Sequence, residues 1–440
     1  MDLKPTAPLG GFLELTPAKQ RFFDVSAAKM RHVLEIAGFE HVDLPAIERA
    51  EVLTDEDDWS ETATQMYLFQ KGDTKMGLRY DGTVGLARFV AGHLNDLVFP
   101  CRISQYSKRY RGERQQKGRF REFYQLDMDI LGLGALSSNY DAEIVGLMAG
   151  IFDAVPEIFG DYVINIGSRP FWNEFAKSAG LSKEQTANAF ALIDKKEKLD
   201  AADFEQGLAE AVGAGCAAEI LSVFSDGYGK FANKTDGLAK ACAELADFMK
   251  LLEKTGVKRA RLNLATMRGL GYYDGIVYEA ISNTYPEIGS IGGGGRYGNL
   301  VGRFSKTAVI GSGCAIGVNR AIMAALDSGR IDLEKYKSAV DVAVLVMGKN
   351  EVPYAMNVLA KLRENGIVAA PFLDTDKKFK NQMEFADKIS SEFSVIIGEV
   401  EVKNGTITLK NMKTGEQVAI TPDEAVKKLL KIRTCSKELK

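Results

Sequence analysis

The chain has 440 residues, of which 46% are hydrophobic, 26% charged and 9% aromatic, and its formal net charge is −3. This length predicts several folding units, and the share of apolar side chains excludes extended disorder. The net charge excludes a uniformly basic nucleic-acid-binding chain. Because the sequence has no run of 18 apolar residues and no leader-like start, we expect a cytoplasmic protein that does not enter a membrane.

Cysteine and histidine are too few and too scattered to indicate a metal centre. The five cysteines show neither CxxC spacing nor a compact disulfide framework, and there are only three histidines. We therefore expect no zinc, and no metal held by protein ligands alone.

The first part of the chain predicts a helix followed by an antiparallel sheet. Thr16 as N-cap, Pro17 at the first helical position and Gly38 as the stop predict a helix. Short apolar runs broken by turn residues follow over about 39–121, which is typical of antiparallel strands. A second helix is predicted over about 138–155, and the run YVINIG after it predicts a strand.

The rest of the chain divides by composition. Residues 170–258 are rich in Ala, Lys, Glu and Leu with helical periodicity, which predicts an inserted helical domain. Strand-type sequence then returns, so residues 1–169 and 259–330 are expected to form one sheet-based domain. Over 340–432, strands alternate with helices of 10 to 15 residues, as in a small α/β domain.

The densest charge lies in the run KRYRGERQQKGRFR at residues 108–121, which holds seven basic residues and one acid. If this run forms a hairpin, Arg109 and Arg111 share a face of one strand, and Arg119 and Arg121 share a face of the next. Guanidinium groups bind phosphate oxygens with paired hydrogen bonds. The run therefore indicates either a site for a nucleotide or nucleic acid, or a merely solvated hairpin, and charge alone does not separate the two.

Polar residues alternate with apolar ones directly after this run. Gln125, Asp127 and Asp129 would project from one face of a strand, where they suit an ammonium or imidazole ligand, or a metal bound together with phosphates. A structural network of ion pairs is the competing interpretation. The segment LRYDGT supplies a further acid, Asp81, and a hydroxyl, Thr83.

Two glycine-rich segments follow the helical insert. Residues 292–298 contain G-x-G-x-x-G, but no βαβ start precedes it and no acid follows at the required distance, which disfavours a nicotinamide-dependent oxidoreductase. We expect Gly293, Gly294 and Gly295 to form the floor of a pocket instead, because no side chain separates their backbone from a ligand. The other segment, MRGLGYYDG at 267–275, either presents an arginine and a tyrosine inward or is a hairpin with packed aromatic residues.

Several of these motifs, in this order along the whole chain, resemble the histidyl-tRNA synthetase family. The segment RYRGERQQKGRFREFYQLDMDILG resembles its class II motif 2, RGLGYYDGIVYE its first histidine-specific motif, IGGGGRYGNL its second, GSGCAIGVNRAI its motif 3 and GFEHVDLPAIE its motif 1. The segments NQMEFADK and VIIGE resemble parts of its anticodon-binding domain.

The resemblance implies an α+β fold. A class II catalytic core on an antiparallel sheet would comprise residues 1–169 and 259–330, the insert at 170–258 would touch the acceptor arm of tRNA, and residues 340–432 would bind the anticodon. It also implies a homodimer joined through motif 1. ATP, with bound Mg²⁺, and L-histidine would give histidyl-adenylate and pyrophosphate, and histidine would then pass to the 3′ end of histidine tRNA.

The resemblance also implies a role for individual residues. Arg268 and Arg111 would be catalytic, the former bridging the substrate carboxylate and the α-phosphate. The ATP-binding residues would be Arg111, Glu113, Arg119, Phe123 and Arg320. Those that bind histidine would be Asp81, Thr83, Gln125, Asp129, Arg268, Tyr272 and Tyr273. Among these, Asp81, Thr83 and Gln125 would receive the α-ammonium, and Asp129 and Tyr273 would bind the imidazole.

The chain departs from the family pattern at a few positions. LRYDGT stands where LRPEGT is common in bacteria, so the ammonium-binding acid is shortened to Asp81, and the loop of motif 2 has Gln115 where proline is usual. None of these changes removes a charge that the chemistry needs. The alternative function is an inactive paralogue that senses histidine as the regulatory subunit of ATP phosphoribosyltransferase. It is disfavoured because such proteins usually lose the arginine motifs and the anticodon-binding domain, whereas this sequence retains segments that resemble both.

Overall fold

A computed structural model describes residues 4–54, 64–114, 118–267, 272–298 and 300–437. It divides the chain into two compact units, the first from residues 1–14 and 23–331 and the second from 15–22 and 332–440. Among the helices of the described residues, none combines the length and the apolar composition needed to cross a membrane.

The first unit is built on an eight-stranded sheet with the order β1-β5-β6-β11-β10-β9-β7-β8. Its strands are β1 (Glu40–His41), β5 (Cys101–Tyr110), β6 (Glu122–Leu133), β7 (Tyr162–Ser168), β8 (Ala260–Leu262), β9 (Ile276–Ser282), β10 (Ser290–Tyr297) and β11 (Val309–Gly317). The pairs from β5 across to β7 are antiparallel, and only the two edge strands pair in parallel. The predicted antiparallel core is therefore confirmed.

A small antiparallel sheet with the order β2-β4-β3 accompanies it. Its strands are β2 (Ile47–Arg49), β3 (Leu68–Lys71) and β4 (Thr74–Leu78).

The helices up to the sheet's last strand have the following bounds. They are α1 (Pro17–Ile36), α2 (Ala50–Leu53), α3 (Thr83–Gly92), α4 (Asn139–Ala154), α5 (Pro156–Phe159), α6 (Arg169–Ser178), α7 (Lys183–Asp194), α8 (Ala201–Val212), α9 (Ala214–Asp226), α10 (Asp236–Lys254) and α11 (Val318–Asp327). Helix α1 begins at Pro17 as predicted, because proline lacks the N–H that the first turn leaves unpaired. Helix α4 packs on β11 through an apolar face that includes Ile144 and Met148.

The segment from α6 to α10, which is described throughout, contains helices and 3₁₀ turns but no strand, as its composition predicted. Its core is aromatic: Phe171, Phe175 and Phe231 are fully buried, and the indole N–H of Trp172 donates to the carbonyl of Leu264 at 2.8 Å. These helices belong to the same compact unit as the sheet. Their status as a domain of their own therefore stays a prediction.

The second unit carries a five-stranded sheet with the order β13-β12-β14-β15-β16. Its elements are β12 (Val342–Val346), α12 (Val352–Glu364), β13 (Ala369–Phe372), α13 (Phe379–Lys388), β14 (Phe393–Ile397), α14 (Glu399–Asn404), β15 (Ile407–Asn411), β16 (Gln417–Ile420) and α15 (Pro422–Lys437). At the start of α15, Thr421 and Glu424 exchange backbone and side-chain hydrogen bonds. This capping box explains where the helix begins.

Candidate active site

A cavity of about 260 Å³ opens beside strands β6, β10 and β11 of the large sheet. Most of the residues to which the resemblance assigns a role line it together: Asp81, Thr83, Arg111, Glu113, Arg119, Gln125, Asp129, Tyr272, Tyr273, Gly293 and Arg320. These residues come from segments up to about 240 positions apart in the chain. The described part of the chain thus brings the separate sequence motifs to one place.

Among the described residues of the predicted set, three do not line this cavity. Phe123 lines a smaller cavity of about 40 Å³, which it shares with Arg111, Glu113, Arg119 and Arg320. Gly294 and Gly295 belong to β10 but are absent from the lining, where Gly292 stands beside Gly293. Arg268 lies outside the described residues, so its role stays a prediction.

The floor predicted at Gly293, Gly294 and Gly295 therefore needs correction. A Cβ on Gly294 would lie 1.9 Å from the carbonyl oxygen of Gly313, and one on Gly295 would lie 2.8 Å from the carbonyl oxygen of Ile276. Real Cβ atoms do not approach other atoms so closely, so these two glycines permit close packing between strands. The sequence signal was correct about bare backbone but not about which residues face the cavity.

Asp81 and Thr83 stand at the start of α3, and Gly82 separates them. The backbone N–H of Val84 donates to Oδ1 of Asp81 at 3.2 Å, which fixes the carboxylate at the first turn of the helix. Desolvation raises the pKa of Asp81, and this hydrogen bond and the charges of Arg109 and Arg111 oppose the shift. A cationic ligand beside this carboxylate would favour its ionised form.

Asp129 is buried and has one partner that the sequence motifs did not single out. The hydroxyl of Tyr297 donates to its Oδ1 at 2.8 Å. Burial raises the pKa of Asp129 to about 8, which the hydrogen bond from Tyr297 opposes and the nearby carboxylates of Asp127 and Asp81 reinforce. Tyr297 was detectable in the sequence, because it follows the glycine run within the same strand-like segment.

Small residues in β11 make room for this pair. A Cβ on Gly313 would lie 1.9 Å from Oδ1 of Asp129, and one on Gly311 would lie 2.2 Å from the ring of Tyr297. Strand β11 runs antiparallel to both β6 and β10, which carry these two side chains. The G-x-G spacing in GSGCAIG is thus required by the side chains that lie across the strand, and this segment adds Gly313, Cys314, Ala315 and Gly317 to the lining.

The arginines form a second group in the cavity. The guanidinium of Arg111 lies 4.5 Å from the ring centre of Tyr80 and 5.2 Å from that of Phe123. Arg119 pairs with Glu113, with Nη1 and Oε2 2.9 Å apart. Aromatic faces and one carboxylate hold these cations in place without neutralising all of them.

Arg320 enters this group from the first turn of α11. Its Nε donates to the carbonyl of Gly118 at 3.0 Å, and its Nη1 donates to the carbonyl of Ser290. Burial lowers the pKa of Arg320 to about 10, and the positive charge of Arg119 contributes. A polyanion would relieve this repulsion, so the arginine group is suited to bind phosphates.

Of the five arginines in the basic run, only Arg111 and Arg119 line the cavity, whereas Arg109, Arg114 and Arg121 do not. The sequence suggested that Arg109 and Arg111 share a face that is open to a ligand or to solvent, but Arg109 is fully buried and pairs with Asp127 on the neighbouring strand. That expectation for Arg109 was wrong, because the alternation of a strand shows which residues share a face but not which face is covered. For Asp127, the interpretation as part of an ion-pair network is the one that the structure supports.

Within the described residues, no group of three or more His, Cys, Asp or Glu side chains is arranged to hold a metal ion.

Comparisons with known proteins agree with this geometry. The model of the histidyl-tRNA synthetase family matches residues 11–321, and that of an anticodon-binding domain matches residues 341–432. A histidine–tRNA ligase of Clostridium tetani is 35% identical to this chain over 97% of it and 98% of the relative. A crystal structure of histidyl-tRNA synthetase from Nostoc sp. PCC 7120 has a TM-score of 0.80 and 30% identity, covering 98% of this chain and 100% of that one.

A further solved structure bears on the alternative function. It is described as an ATP phosphoribosyltransferase regulatory subunit/histidyl-tRNA synthetase from Bacillus halodurans, and it has a TM-score of 0.71 at 17% identity over 90% of this chain and 100% of that one. A likeness at that identity shows a shared fold alone, so it gives no specific support to a regulatory role.

The antiparallel sheet, the polar cavity beside it and the C-terminal anticodon-binding domain define a class II aminoacyl-tRNA synthetase. The family match and the relatives are more specific. The chain belongs to the histidyl-tRNA synthetase family, and its function is that of a histidine–tRNA ligase.

Proposed function

We propose that the 260 Å³ cavity is where ATP activates histidine, and that its two groups of residues serve the two substrates. The observation that carries this proposal is the convergence of both groups on a single cavity. In the first step, the carboxylate of histidine attacks the α-phosphorus of ATP, the bond to the β-phosphate breaks, and pyrophosphate leaves. In the second, the terminal adenosine of the tRNA takes the histidyl group and AMP leaves.

The arginines of the cavity would reduce the charge repulsion between the two substrates in the first step. The attacking carboxylate and the α-phosphate are both anionic, so cations must lower their repulsion and hold them in line. Arg111 would hold the α-phosphate, Arg119 and Arg320 the outer phosphates, and Phe123 would stack on adenine. By resemblance, Arg268 would bridge the two reacting groups and act with Arg111 in catalysis.

Mg²⁺ would arrive bound to the phosphates of ATP and would neutralise part of their charge. The donor set in the described residues fits this role, because Glu113 is the one carboxylate paired with the arginine group and would add an oxygen ligand.

The residues around Asp81 and Asp129 would select the amino acid. Asp81, Thr83 and Gln125 would receive the α-ammonium, while Asp129 and Tyr273 would each bond one nitrogen of the imidazole ring, with Tyr272 beside them. An amino acid without those nitrogens would leave buried polar groups unpaired, which is costly. Selection at this step would therefore need no editing site.

Recognition of histidine tRNA would be shared along the chain. Residues 340–432 would bind the anticodon, and the helices within 170–258 would touch the acceptor arm while the catalytic core of residues 1–169 and 259–330 does the chemistry. The match of an anticodon-binding domain to residues 341–432 supports the first of these roles.

We also propose a homodimer, with the small β2-β4-β3 sheet in the interface. Ile47 pairs with Leu78 across β2 and β4, and Phe69 pairs with Met76 across β3 and β4, so these four side chains share one face. Ile47 and Phe69 are 47% and 42% exposed in the single chain, and Ile47 lies in the segment that resembles motif 1. Sedimentation velocity should show a dimer that Ile47→Glu weakens, and a monomer at micromolar concentration of the unaltered protein would contradict it.

The activity is expected in the cytoplasm, where its substrates are found. The decisive experiment is ATP–pyrophosphate exchange by the purified protein, tested with each amino acid in turn and without tRNA. Histidine alone should support exchange. Binding of histidine in calorimetry without exchange would instead favour the sensor paralogue.

A further inference from the structure

A buried ion pair next to the cavity has no role in the chemistry described above. Arg109 on β5 and Asp127 on β6 are both almost completely buried, and Nη2 of the arginine donates to Oδ2 of the aspartate. The other terminal nitrogen of the arginine, Nη1, donates to Oγ of Ser107 at 2.6 Å. Removing two charges from water is costly, and such a pair is weak evidence for stability, so its placement calls for another explanation.

The pair fixes the orientation of a residue in the cavity. Nε2 of Gln125 donates to Oδ1 of Asp127 at 2.6 Å. Both oxygens of Asp127 act as acceptors, Oδ2 from Arg109 and Oδ1 from Gln125, so the glutamine turns its NH₂ group towards Asp127. Its remaining amide atom, Oε1, is an acceptor, and Gln125 lines the cavity. An acceptor is the group that an ammonium ion requires.

The same pair also supports the loop that carries Asp81 and Thr83. Gly82, between them, lies so close that a Cβ there would be 2.4 Å from both Nη2 of Arg109 and Oδ2 of Asp127. The carbonyl of Gly82 accepts a hydrogen bond from Nε2 of Gln105 at 3.2 Å. The loop therefore packs directly on the ion pair.

We propose that the buried pair of Arg109 and Asp127 is a positioning device for the α-ammonium of histidine, holding Oε1 of Gln125 as an acceptor and supporting Asp81 and Thr83 beside it. This inference rests on the proposed assignment of those three residues to the ammonium. Arg109 and Asp127 act through them and do not touch the substrate.

The test compares histidine with imidazole-propionate, which lacks only the α-ammonium. The double variant Arg109→Met/Asp127→Leu removes both charges, so neither is left buried alone, a type of replacement that folded proteins often tolerate. Calorimetry, with competition for the weaker ligand, should show about a tenfold or greater loss of affinity for histidine and less than about a twofold change for imidazole-propionate. An equal loss for both ligands, or no loss for either, would overturn the proposal.

Three further variants make the result specific. The control Arg102→Met/Glu143→Leu removes another ion pair that involves β5, in which Nη1 of Arg102 lies 2.7 Å from Oε1 of Glu143. It should change the affinity neither for histidine nor for imidazole-propionate. Gln125→Leu should reproduce the selective loss. If Gln125→Leu has no effect, the ammonium assignment itself fails; if it acts and the double variant does not, only the positioning role fails.

Should the double variant not fold, Asp127→Asn provides the same test. An asparagine that accepts from Arg109 presents its NH₂ group to Gln125, which must then turn its own NH₂ group towards the cavity. The selective loss for histidine should therefore appear in this variant as well, and unchanged histidine affinity would overturn the proposal.

Discussion

The two large sheets of this chain differ in how their faces are covered. In the second unit, all five residues of β12 and of β14 are buried. Val342, Val344 and Val346 pack in one apolar cluster with α12 and α15, while Ala343 and Leu345 pack in another with α13. A sheet covered on both faces is typical of parallel α/β structure and needs almost no polar side chains inside.

The sheet of the first unit keeps part of one face for a cavity. On β6, the apolar Leu126 and Met128 alternate with Gln125, Asp127 and Asp129, all of them buried. Each of these polar groups has a hydrogen-bond partner, and a cation balances part of their charge. The comparison shows that a sheet with a polar cavity on one face must stabilise buried charged groups, which the two buried strands β12 and β14 do not contain.

The largest effect on activity should come from substitution of Arg268, to which the family resemblance assigns a catalytic role. Arg268→Ala should lower the rate of histidine-dependent pyrophosphate exchange by about 100- to 1000-fold, because one cation that stabilises the transition state is lost, while calorimetry still detects histidine binding. Arg261→Ala, at an exposed position on β8, is the matched control and should be near normal. A near-normal rate for Arg268→Ala would remove the role given to it.

The next largest effect, on KM for histidine, is expected from substitution of Gly313, which lies against the carboxylate of Asp129. In Gly313→Ala, the new methyl group would meet Oδ1 of Asp129 and displace it, so KM for histidine in the exchange assay should rise by about 10- to 100-fold. Gly215→Ala in α9, where a Cβ meets no atom within 4 Å, should leave KM unchanged. Equal KM values in the two variants would show that this side of the cavity does not contact histidine.

A buried side-chain amide of the second unit, that of Gln382, provides a test of that unit. Gln382 on α13 accepts from the N–H of Val346 and donates to its carbonyl, at 2.9 and 2.7 Å. Gln382→Leu leaves both groups unpaired and should destabilise this unit by about 2 kcal/mol or more, measured by urea unfolding and hydrogen exchange. Pyrophosphate exchange should not change, and the exposed Gln417→Leu should alter stability by less than about 0.5 kcal/mol. A parallel loss of exchange would show that the two units are not functionally separable.

The smallest effect concerns pH. Burial raises the pKa of Asp129 in the folded protein to about 8, from an ordinary value of 3.8, so the folded state holds this proton more tightly. The contribution of protonated Asp129 to the free energy of unfolding is fully present below about pH 4 and is lost as pH rises towards 8. The Tm of the unaltered protein should therefore fall more steeply between about pH 5 and 8 than that of Asp129→Asn. The exposed Asp247→Asn should follow the unaltered protein, and identical slopes in all three proteins would contradict the shifted pKa.

The sequence by itself determined the family, the antiparallel core and several element boundaries. Pro17 and the Thr421–Glu424 capping box identify helix starts through local hydrogen bonding, which depends only on neighbouring residues. The motif residues were recognisable because the chemistry restricts their type and order.

Only the tertiary structure decided which charges meet. Arg109 and Arg111 stand two residues apart in a basic run, yet one is buried against Asp127 and the other faces the cavity. Likewise, the contact of Asp129 with Tyr297 joins residues 168 positions apart. Such contacts depend on the register and order of strands β5, β6, β10 and β11, and alternation along one strand carries no information about the strand beside it.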